Sequence, residues 1–557
     1  MPSLSPLSST SPLYDILVYT PVLLILTQAI LSILGALRPK NFPPGPRGLP
    51  ALGNLLELDR KFPFRTFTSW ATKIGRDVPL GWKSAANNVV VLNSARLVHE
   101  LFDKRGAIFS DRPYMYINAE WIVKYDLKVA VFQNNDAWLN RWRRDVALML
   151  SSAAIKRLTP VYDAEAARLL IKVLESGPAT GHELLDVLTM GMLSVPCLEL
   201  CGSRPDDLGV FGGFRQVMED WFSLVTPGAT DVFPPLRYLP GFLAPWKYKA
   251  QRVRNSLLVP GDAVLKAARE QRASLDAGSN GFESLLAKIL RDQAGQKDPF
   301  YTSRELSLIA VTMLIGGSDS SLVLFSTALA VFAQYQDAQQ KVRKEIFDLL
   351  GGAPPQAANL PDLRFLEACY NEILRWRPVA PMGIPHAPSQ DDTVDGHRIP
   401  KGSSVISNVW NIHHDEADYE NPDEFIPERF LQHPWGMRMD DEHDPARLEK
   451  QGRRTNYTFG AGRRVCLGME SAKKSFLIGM AKFLWAFEVH PRDAERGVDL
   501  SLDTGFISDL TLKVKNLDIA VKLRDGLSRE DVYKHYDDVY PDEARLMGWE
   551  TVKPRHI

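Results

Sequence analysis

The chain has 557 residues, of which 45% are hydrophobic and 24% are charged, and these proportions are ordinary for a globular protein with a large core. The formal net charge of −1 excludes a global electrostatic field that would attract nucleic acid or a strongly acidic partner. The four cysteines, Cys197, Cys201, Cys369 and Cys466, are too few for a disulfide framework and fit a reducing compartment.

The N-terminal region predicts a membrane anchor. After a short leading segment, residues 1–15, residues 16–37 carry no charge. At about 1.5 Å per residue they extend about 33 Å, enough to cross a hydrocarbon core of about 30 Å. A cleavable signal peptide would have its positive charges before a shorter apolar run, whereas here Arg38 and Lys40 follow the run. We therefore expect one uncleaved transmembrane helix, a cytosolic domain after it, and a semi-rigid hinge in the proline-rich residues 38–54.

The remainder of the chain predicts one large domain, residues 55–525. Helical patterns dominate from about residue 97 to residue 350. Residues 394–409 and 504–521 contain the β-branched side chains and turn glycines of strands. The expected fold is mainly α with small β-sheets. Residues 526–557 are polar and charged and are predicted to form a surface extension.

A long apolar stretch with a polar centre predicts a ligand groove. Thr302 and Glu305 have the spacing of a capping box and precede it. Two glycines in its middle, each costing a helix about 1 kcal/mol, would let a bulky ligand approach the backbone. Asp319 followed by Ser320 offers a proton path beside that groove. A second membrane span is disfavoured by the polar centre, and a hinge in an ordinary core helix is a remaining alternative.

Ion-pairing and basic residues occur at several further positions. Glu372 and Arg375 lie three apart on one predicted helix face, a weak signal alone. His386 lies in Gly-Ile-Pro-His-Ala, and a structural histidine is its alternative reading. Arg143 follows Trp138 in a basic segment, and a solvated helix face would explain it almost as well.

The ten residues 459–468 are the most informative segment. They read Phe-x-x-Gly-x-Arg-x-Cys-x-Gly and precede a helix-compatible run. Glycines allow close backbone approach, and the following helix would favour the thiolate of Cys466. Arg464 would pair with a ligand carboxylate, so a haem with propionates meets every requirement. The alternative is that Cys466 is a small buried hydrophobe in a turn.

These motifs together resemble those of the cytochrome P-450 family, over about residues 43–521. The resemblance extends to membrane-bound fungal members that act in secondary metabolism. By that resemblance, the haem b (iron protoporphyrin IX) would contact Cys466 as axial ligand of the iron, Phe459, Gly462 and Gly468 in its loop, and Arg464, His386 and Arg143. Glu372, Arg375 and Arg429 would form a structural triad. Asp319 and Ser320 would deliver protons with ordered water, with serine where threonine is usual.

The resemblance implies a haem-thiolate monooxygenase that inserts one oxygen atom into an apolar small molecule. Electrons would come from NADPH through a separate NADPH–cytochrome P-450 reductase, with cytochrome b5 as a second candidate donor. Basic residues near Cys466, among them Arg453, Arg454 and Lys473, would attract that donor. The expected location is the endoplasmic reticulum membrane, in a single-pass arrangement with a cytosolic catalytic domain. Two alternatives are a haem-thiolate isomerase, dehydratase or peroxide-dependent enzyme, and a non-catalytic haem- or lipid-binding protein.

Overall fold

Helices form most of the protein. The computed structural model describes residues 35, 37–124, 128–177, 181–225 and 229–549. The α-helices are α1 Pro63–Ile74, α2 Ala95–Val98, α3 Ala137–Met149, α4 Ser152–Arg157, α5 Thr159–Ser176, α6 Gly181–Cys201, α7 Pro205–Leu208, α8 Phe214–Val225, α9 Ala229–Val232, α10 Pro245–Asp276, α11 Leu285–Asp292, α12 Ser303–Gln334, α13 Gln336–Leu350, α14 Arg364–Trp376, α15 Val409–His413, α16 Arg429–Gln432, α17 Pro445–Lys450, α18 Met469–Ala486, α19 Leu502–Gly505 and α20 Arg529–Met547. The prediction of a mainly α fold with small sheets is confirmed.

In the part of the chain that the structure describes, the strands form four small sheets. They are β1 Leu80–Ser84, β2 Asn87–Leu92, β3 Asp392–Val394, β4 His397–Ile399, β5 Ser404–Ser407, β6 Phe487–Pro491, β7 Phe506–Ser508, β8 Leu512–Val514 and β9 Ile519–Leu523. One sheet has the order β1-β2-β5, with β1 antiparallel and β5 parallel to β2. The pairs β3–β4, β6–β9 and β7–β8 are antiparallel two-stranded sheets.

Helix α12 is the central helix of the core. Its capping box is present, because Thr302 Oγ1 accepts from Glu305 N at 3.2 Å and the Glu305 carboxylate accepts from Thr302 N at 2.9 Å. Helices α6 and α12 are both long and apolar enough to cross a membrane. However, 56% of the most apolar 18-residue stretch of α6 and 67% of that of α12 are buried inside the protein. Such burial is typical of core helices. The predicted anchor, residues 16–37, lies outside the described residues except for positions 35 and 37.

The proline-rich segment, residues 38–54, is packed against the first sheet. The Arg38 guanidinium donates to Pro46 O and to Gly81 O, both at 2.9 Å. A Cβ atom on Gly45 would lie 1.8 Å from Gly81 O, so only glycine fits this approach. These contacts fix part of the segment against the sheet. The prediction of a hinge did not include such contacts.

The prediction of a C-terminal surface extension is wrong for the residues of α20. Val532 and Tyr536 lie on a fully buried face of this helix. Arg204 joins it to the body, since its guanidinium contacts the Glu543 carboxylate at 2.6 Å and the Glu165 carboxylate at 2.6 Å. The polar composition misled the prediction because many of the polar side chains occupy the opposite, solvent-facing side.

Candidate active site

The loop before α18 has a shape that requires glycine. Cys466 N donates to Phe459 O at 2.8 Å, which closes the turn. Gly462 has a φ of +59°, and a Cβ atom there would lie 1.8 Å from Phe102 O. Its N–H donates to Asp103 Oδ1 at 2.8 Å. The predicted role of Gly462 in close backbone approach therefore has a direct steric reason.

Cys466 is the accessible thiol of the protein. All four cysteines lie in the described part of the chain, and the other three are buried. Protein nonetheless surrounds Cys466 closely, and this desolvation raises the pKa of its thiol, whereas the Gly468 backbone N–H and Arg143 lower it. The net rise of the pKa therefore favours the thiol of Cys466 over the thiolate that the sequence predicted. A bound metal cation deprotonates a coordinating thiol regardless of such a shift.

Gly468 serves a different purpose from Gly462. Its φ of −88° is available to any residue, so backbone conformation does not require glycine there. A Cβ atom on Gly468 would meet only Cys466 Sγ at 3.9 Å and a Leu150 methyl at 4.0 Å. The absence of a side chain leaves open space beside the sulfur.

Two of the predicted arginines lie beside the Cys466 loop. Arg143, on α3, donates to Val465 O at 2.8 Å. Arg464 is buried and donates to Ser110 O at 2.7 Å and to Ala130 O at 3.3 Å. Burial, with repulsion from Arg143, lowers the pKa of Arg464 to about 10.

Arg112 is a third arginine at this site, and sequence analysis missed it. Its guanidinium donates to Val131 O at 2.9 Å, Ile384 O at 2.9 Å and Pro385 O at 2.8 Å. Burial lowers the pKa of Arg112 well below its usual value, and the charges of Arg464 and of Arg143 lower it further. In the sequence Arg112 is a single arginine before Pro113. Nothing in that local pattern indicates its contacts with residues 384 and 385, which arise only from the fold.

The three guanidiniums lack a carboxylate in direct contact, although Asp111 and Asp136 act on Arg464 through space. Among the residues that the structure describes, Arg112, Arg143 and Arg464 form no ion pair with a carboxylate, and their hydrogen bonds go to backbone carbonyls. Like charges placed close together in a largely buried site, with no carboxylate in direct contact, cost free energy. The cluster therefore fits a ligand that carries acid groups, as the two propionates of the predicted haem would supply.

His386 lies close enough to Arg112 and Arg464 for their charges to act on it. Its ring stacks on Phe102 with centroids 3.8 Å apart, and its Nδ1 lies 2.6 Å from Phe109 O. Burial and then the charge of Arg112 lower the pKa of His386 well below its usual value, so the imidazole is neutral. A neutral imidazole has one N–H, and the Phe109 carbonyl requires it at Nδ1. The contact of His386 with a propionate stays a prediction.

The middle of α12 borders open space without interrupting the helix. The helix is continuous across residues 316–321. Gly316 is exposed within this mostly buried helix, and a Cβ atom there would meet nothing within 4 Å. Ser320 lies one turn later on the same face, and its Oγ donates to Gly316 O at 2.8 Å. Gly317 faces α6, where its Cβ would lie 3.0 Å from Pro196.

Asp319 points to another face of α12. The residue is only 3% exposed. Its Oδ1 lies 3.2 Å from Lys513 Nζ, and its Oδ2 accepts from Thr511 Oγ1 at 3.4 Å. Burial raises the pKa of Asp319, and Lys513 opposes that rise only in part. The predicted acid and hydroxyl are therefore neighbours in sequence, but the acid is engaged by the β7–β8 hairpin.

The predicted triad is assembled around one buried carboxylate. Arg375 Nε lies 2.7 Å from Glu372 Oε2, and Arg429 Nε lies 3.3 Å from Glu372 Oε1. Arg375 also donates to His413 O at 3.0 Å and to Pro422 O at 2.7 Å. The arrangement ties α14 to the loop before the Cys466 segment.

Comparison with known proteins identifies relatives along nearly the whole chain. The family model described as cytochrome P-450 matches residues 43–514. Cytochrome P-450 monooxygenase grgG of a Penicillium species is 51% identical over 96% of each chain. Cytochrome P-450 monooxygenase yanC of Aspergillus niger is 29% identical over 85% of this chain and 87% of its own. For cytochrome P-450 monooxygenase patH of Penicillium expansum the identity is 29%, over 92% of this chain and 96% of the relative.

Proposed function

The chain belongs to the cytochrome P-450 family of monooxygenases, and on that premise we propose that it binds haem b through Cys466 and oxidises an apolar small molecule in a fungal secondary-metabolite pathway. The observation that carries the proposal is the accessible thiol of Cys466 beside three guanidiniums, of which those of Arg112 and Arg464 are buried, without carboxylates in direct contact. The similarity to monooxygenases of filamentous fungi supports the pathway assignment.

The residues of the site fit the haem. Cys466 would ligate the iron, and Arg112, Arg143 and Arg464 would neutralise the propionates. When bound, the haem supplies an iron centre that activates dioxygen, and a thiolate ligand favours cleavage of the O–O bond. The open face of α12 at Gly316 would leave room for the porphyrin and the substrate.

Arg112→Met should weaken haem binding, and because it also removes the donors to Val131 O, Ile384 O and Pro385 O, thermal unfolding of the apoprotein is measured beside it. A hydrogen bond to a charged group contributes about 1.5–3 kcal/mol, so we expect haem affinity to fall by roughly 10- to 150-fold. Titration of apoprotein with haemin measures this. Arg144→Met is the matched control, because Arg144 is exposed on the same helix as Arg143 and its Nε donates to Asn140 O, a backbone carbonyl of its own helix. Equal haem affinity in Arg112→Met and wild type would contradict the role of Arg112.

Protons for the reaction would come through Asp319 and Ser320. The Asp319 carboxyl would take protons from water and pass them on, and the Ser320 hydroxyl, which donates to Gly316 O, lies on the open face. General acid catalysis typically contributes about 10²- to 10⁴-fold. We therefore expect Asp319→Asn to lower NADPH-dependent turnover by about 10²-fold while the protein keeps its haem. Unchanged turnover would remove Asp319 from the mechanism.

An isotope experiment tests the class of reaction. Microsomes that contain the protein and a fungal reductase, fed with pathway intermediates and NADPH, should form a product with one oxygen atom from labelled dioxygen. Turnover without NADPH, or with hydrogen peroxide alone, would favour the isomerase, dehydratase or peroxide-dependent alternative. Haem binding without any oxygen consumption would favour a non-catalytic binding protein.

The electron donor would be NADPH–cytochrome P-450 reductase, with cytochrome b5 as a second candidate, at the endoplasmic reticulum membrane. The basic residues predicted to attract it are partly neutralised. Arg453 pairs with Asp418 at 2.5 Å, and Lys473 pairs with Glu367 at 2.6 Å. Arg463 is exposed directly before Arg464 and would be a further cation for the donor.

A further inference from the structure

A π-helical turn, His99–Lys104, packs directly against the Cys466 loop, residues 459–468. The contact is so close that a Cβ atom on Gly462 would lie 1.8 Å from Phe102 O. π-Helical turns are rare and occur frequently at functional sites. The side chains of this turn are therefore candidates for positioning the loop.

Asp103, on this turn, contacts three groups. Its Oδ1 accepts a hydrogen bond from Gly462 N at 2.8 Å. Its Oδ2 lies 2.6 Å from Arg454 Nη2 and 2.8 Å from His99 Nδ1. Both carboxylate oxygens are thus engaged, which fixes the direction of the side chain towards the loop.

Arg454 extends this contact to a second glycine of the loop. Its Nη1 donates to Gly460 O at 3.2 Å, while its Nη2 contacts Asp103. Gly460 and Gly462 have φ angles of +75° and +59°. Because glycine has more conformational freedom to lose than any other residue, such a turn needs outside contacts to keep one shape. The ion pair supplies them, since its anion accepts from one glycine and its cation donates to the other.

The second half of the loop is held by different contacts. Cys466 N donates to Phe459 O at 2.8 Å, and Arg143 donates to Val465 O at 2.8 Å. The Asp103–Arg454 pair therefore fixes the part of the loop that leads into the cysteine. A shift of that part would move the sulfur.

We propose that the ion pair of Asp103 and Arg454 is a clamp that positions the Cys466 loop, so that the sulfur stays within reach of the haem iron as a thiolate ligand. Both are positioning residues, because they act through the loop and not on the haem. The inference rests on the proposed ligation of haem by Cys466. It also assigns Arg454 to the loop, whereas the sequence predicted that this arginine attracts the electron donor.

Hydrogen–deuterium exchange of the full chain as purified tests the clamp by itself. Asp103→Ala removes the acceptor of Gly462 N–H and the anion beside Arg454, so the amides of residues 459–468 should exchange about 10-fold faster. This is the low end for a hydrogen bond to a charged group, because the side chains of the pair are 20% and 29% exposed. Glu100→Ala is the matched control, since Glu100 lies on the same turn and pairs with Lys104 and Arg105.

The ligation state of the haem gives a readout that a purely structural contact would not move. In the reduced carbon monoxide complex of Asp103→Ala, the red-shifted Soret band should disappear in mild urea about 10 times faster than in wild type or Glu100→Ala, at equal haem content. Asp103→Asn keeps an oxygen that accepts from Gly462 N–H and should restore part of the lifetime.

Arg454→Met is a second variant, and it covers the case in which Asp103→Ala does not accumulate as folded protein. It should also shorten the lifetime of the red-shifted band. The two substitutions together should accelerate the loss by less than the product of their separate effects, because they remove the same contact.

Unchanged exchange in Asp103→Ala and Arg454→Met, or faster exchange with an unchanged lifetime of the band, would overturn the inference. An equal loss of lifetime in Glu100→Ala would overturn it as well, because the effect would then belong to the whole turn. If wild type lacks the red-shifted band while Asp103→Ala still exchanges faster in the loop, the proposed ligation by Cys466 fails, whereas the positioning of the loop is supported.

Discussion

Arg375→Ala should yield no stable, haem-loaded protein. Arg375 and Glu372 are 1% and 0% exposed, and their side chains meet at 2.7 Å. Removing one partner of a buried pair leaves an uncompensated charge and costs about 3–5 kcal/mol. The substitution also removes the donors to His413 O and Pro422 O. Because total stabilities are about 5–15 kcal/mol, this loss is large enough to prevent assembly.

Haem absorbance per mole of protein and thermal unfolding measure the effect. Arg364→Ala is the matched control, since Arg364 is exposed at the start of the same helix, α14, and should change stability by about 0.5 kcal/mol or less. A purified Arg375→Ala protein with full haem content would contradict the structural role of the triad.

Cys466→Ala should abolish turnover while the fold survives. The side chain is exposed, so its truncation removes little packing, and we expect the unfolding temperature to change by only a few degrees. Without the sulfur the iron loses its protein ligand, and NADPH-dependent product formation should fall to the background of reductase alone. Cys369→Ala makes the same chemical change at a buried site and should retain turnover. Comparable product formation by Cys466→Ala and wild type would refute the role of Cys466.

The parts of the site that follow local sequence rules were predictable. The glycine-lined turn around Cys466, the capping box of α12 and the Glu372–Arg375 spacing each depend on residues within one turn or one helix. The helix of residues 529–547 was also detectable, because Val532, Tyr536 and Val539 recur at helical spacing. The polar composition of the segment masks this periodicity.

Contacts between distant segments were not predictable. Lys513 meets Asp319 across 194 positions of sequence, and no local pattern marks the pairing. Arg112 is an ordinary arginine until the fold brings it beside Arg464, which is 352 positions away in the numbering. Its significance comes from burial without a counter-charge, and burial is a property of the folded chain.

The carbon monoxide difference spectrum of the reduced, haem-loaded protein tests the central claim most directly. Ligation by the Cys466 thiolate predicts the strongly red-shifted Soret band of a haem-thiolate protein, present in wild type and in Cys369→Ala and lost in Cys466→Ala. A wild-type Soret band without that red shift, or a red-shifted band that persists in Cys466→Ala, would contradict the account.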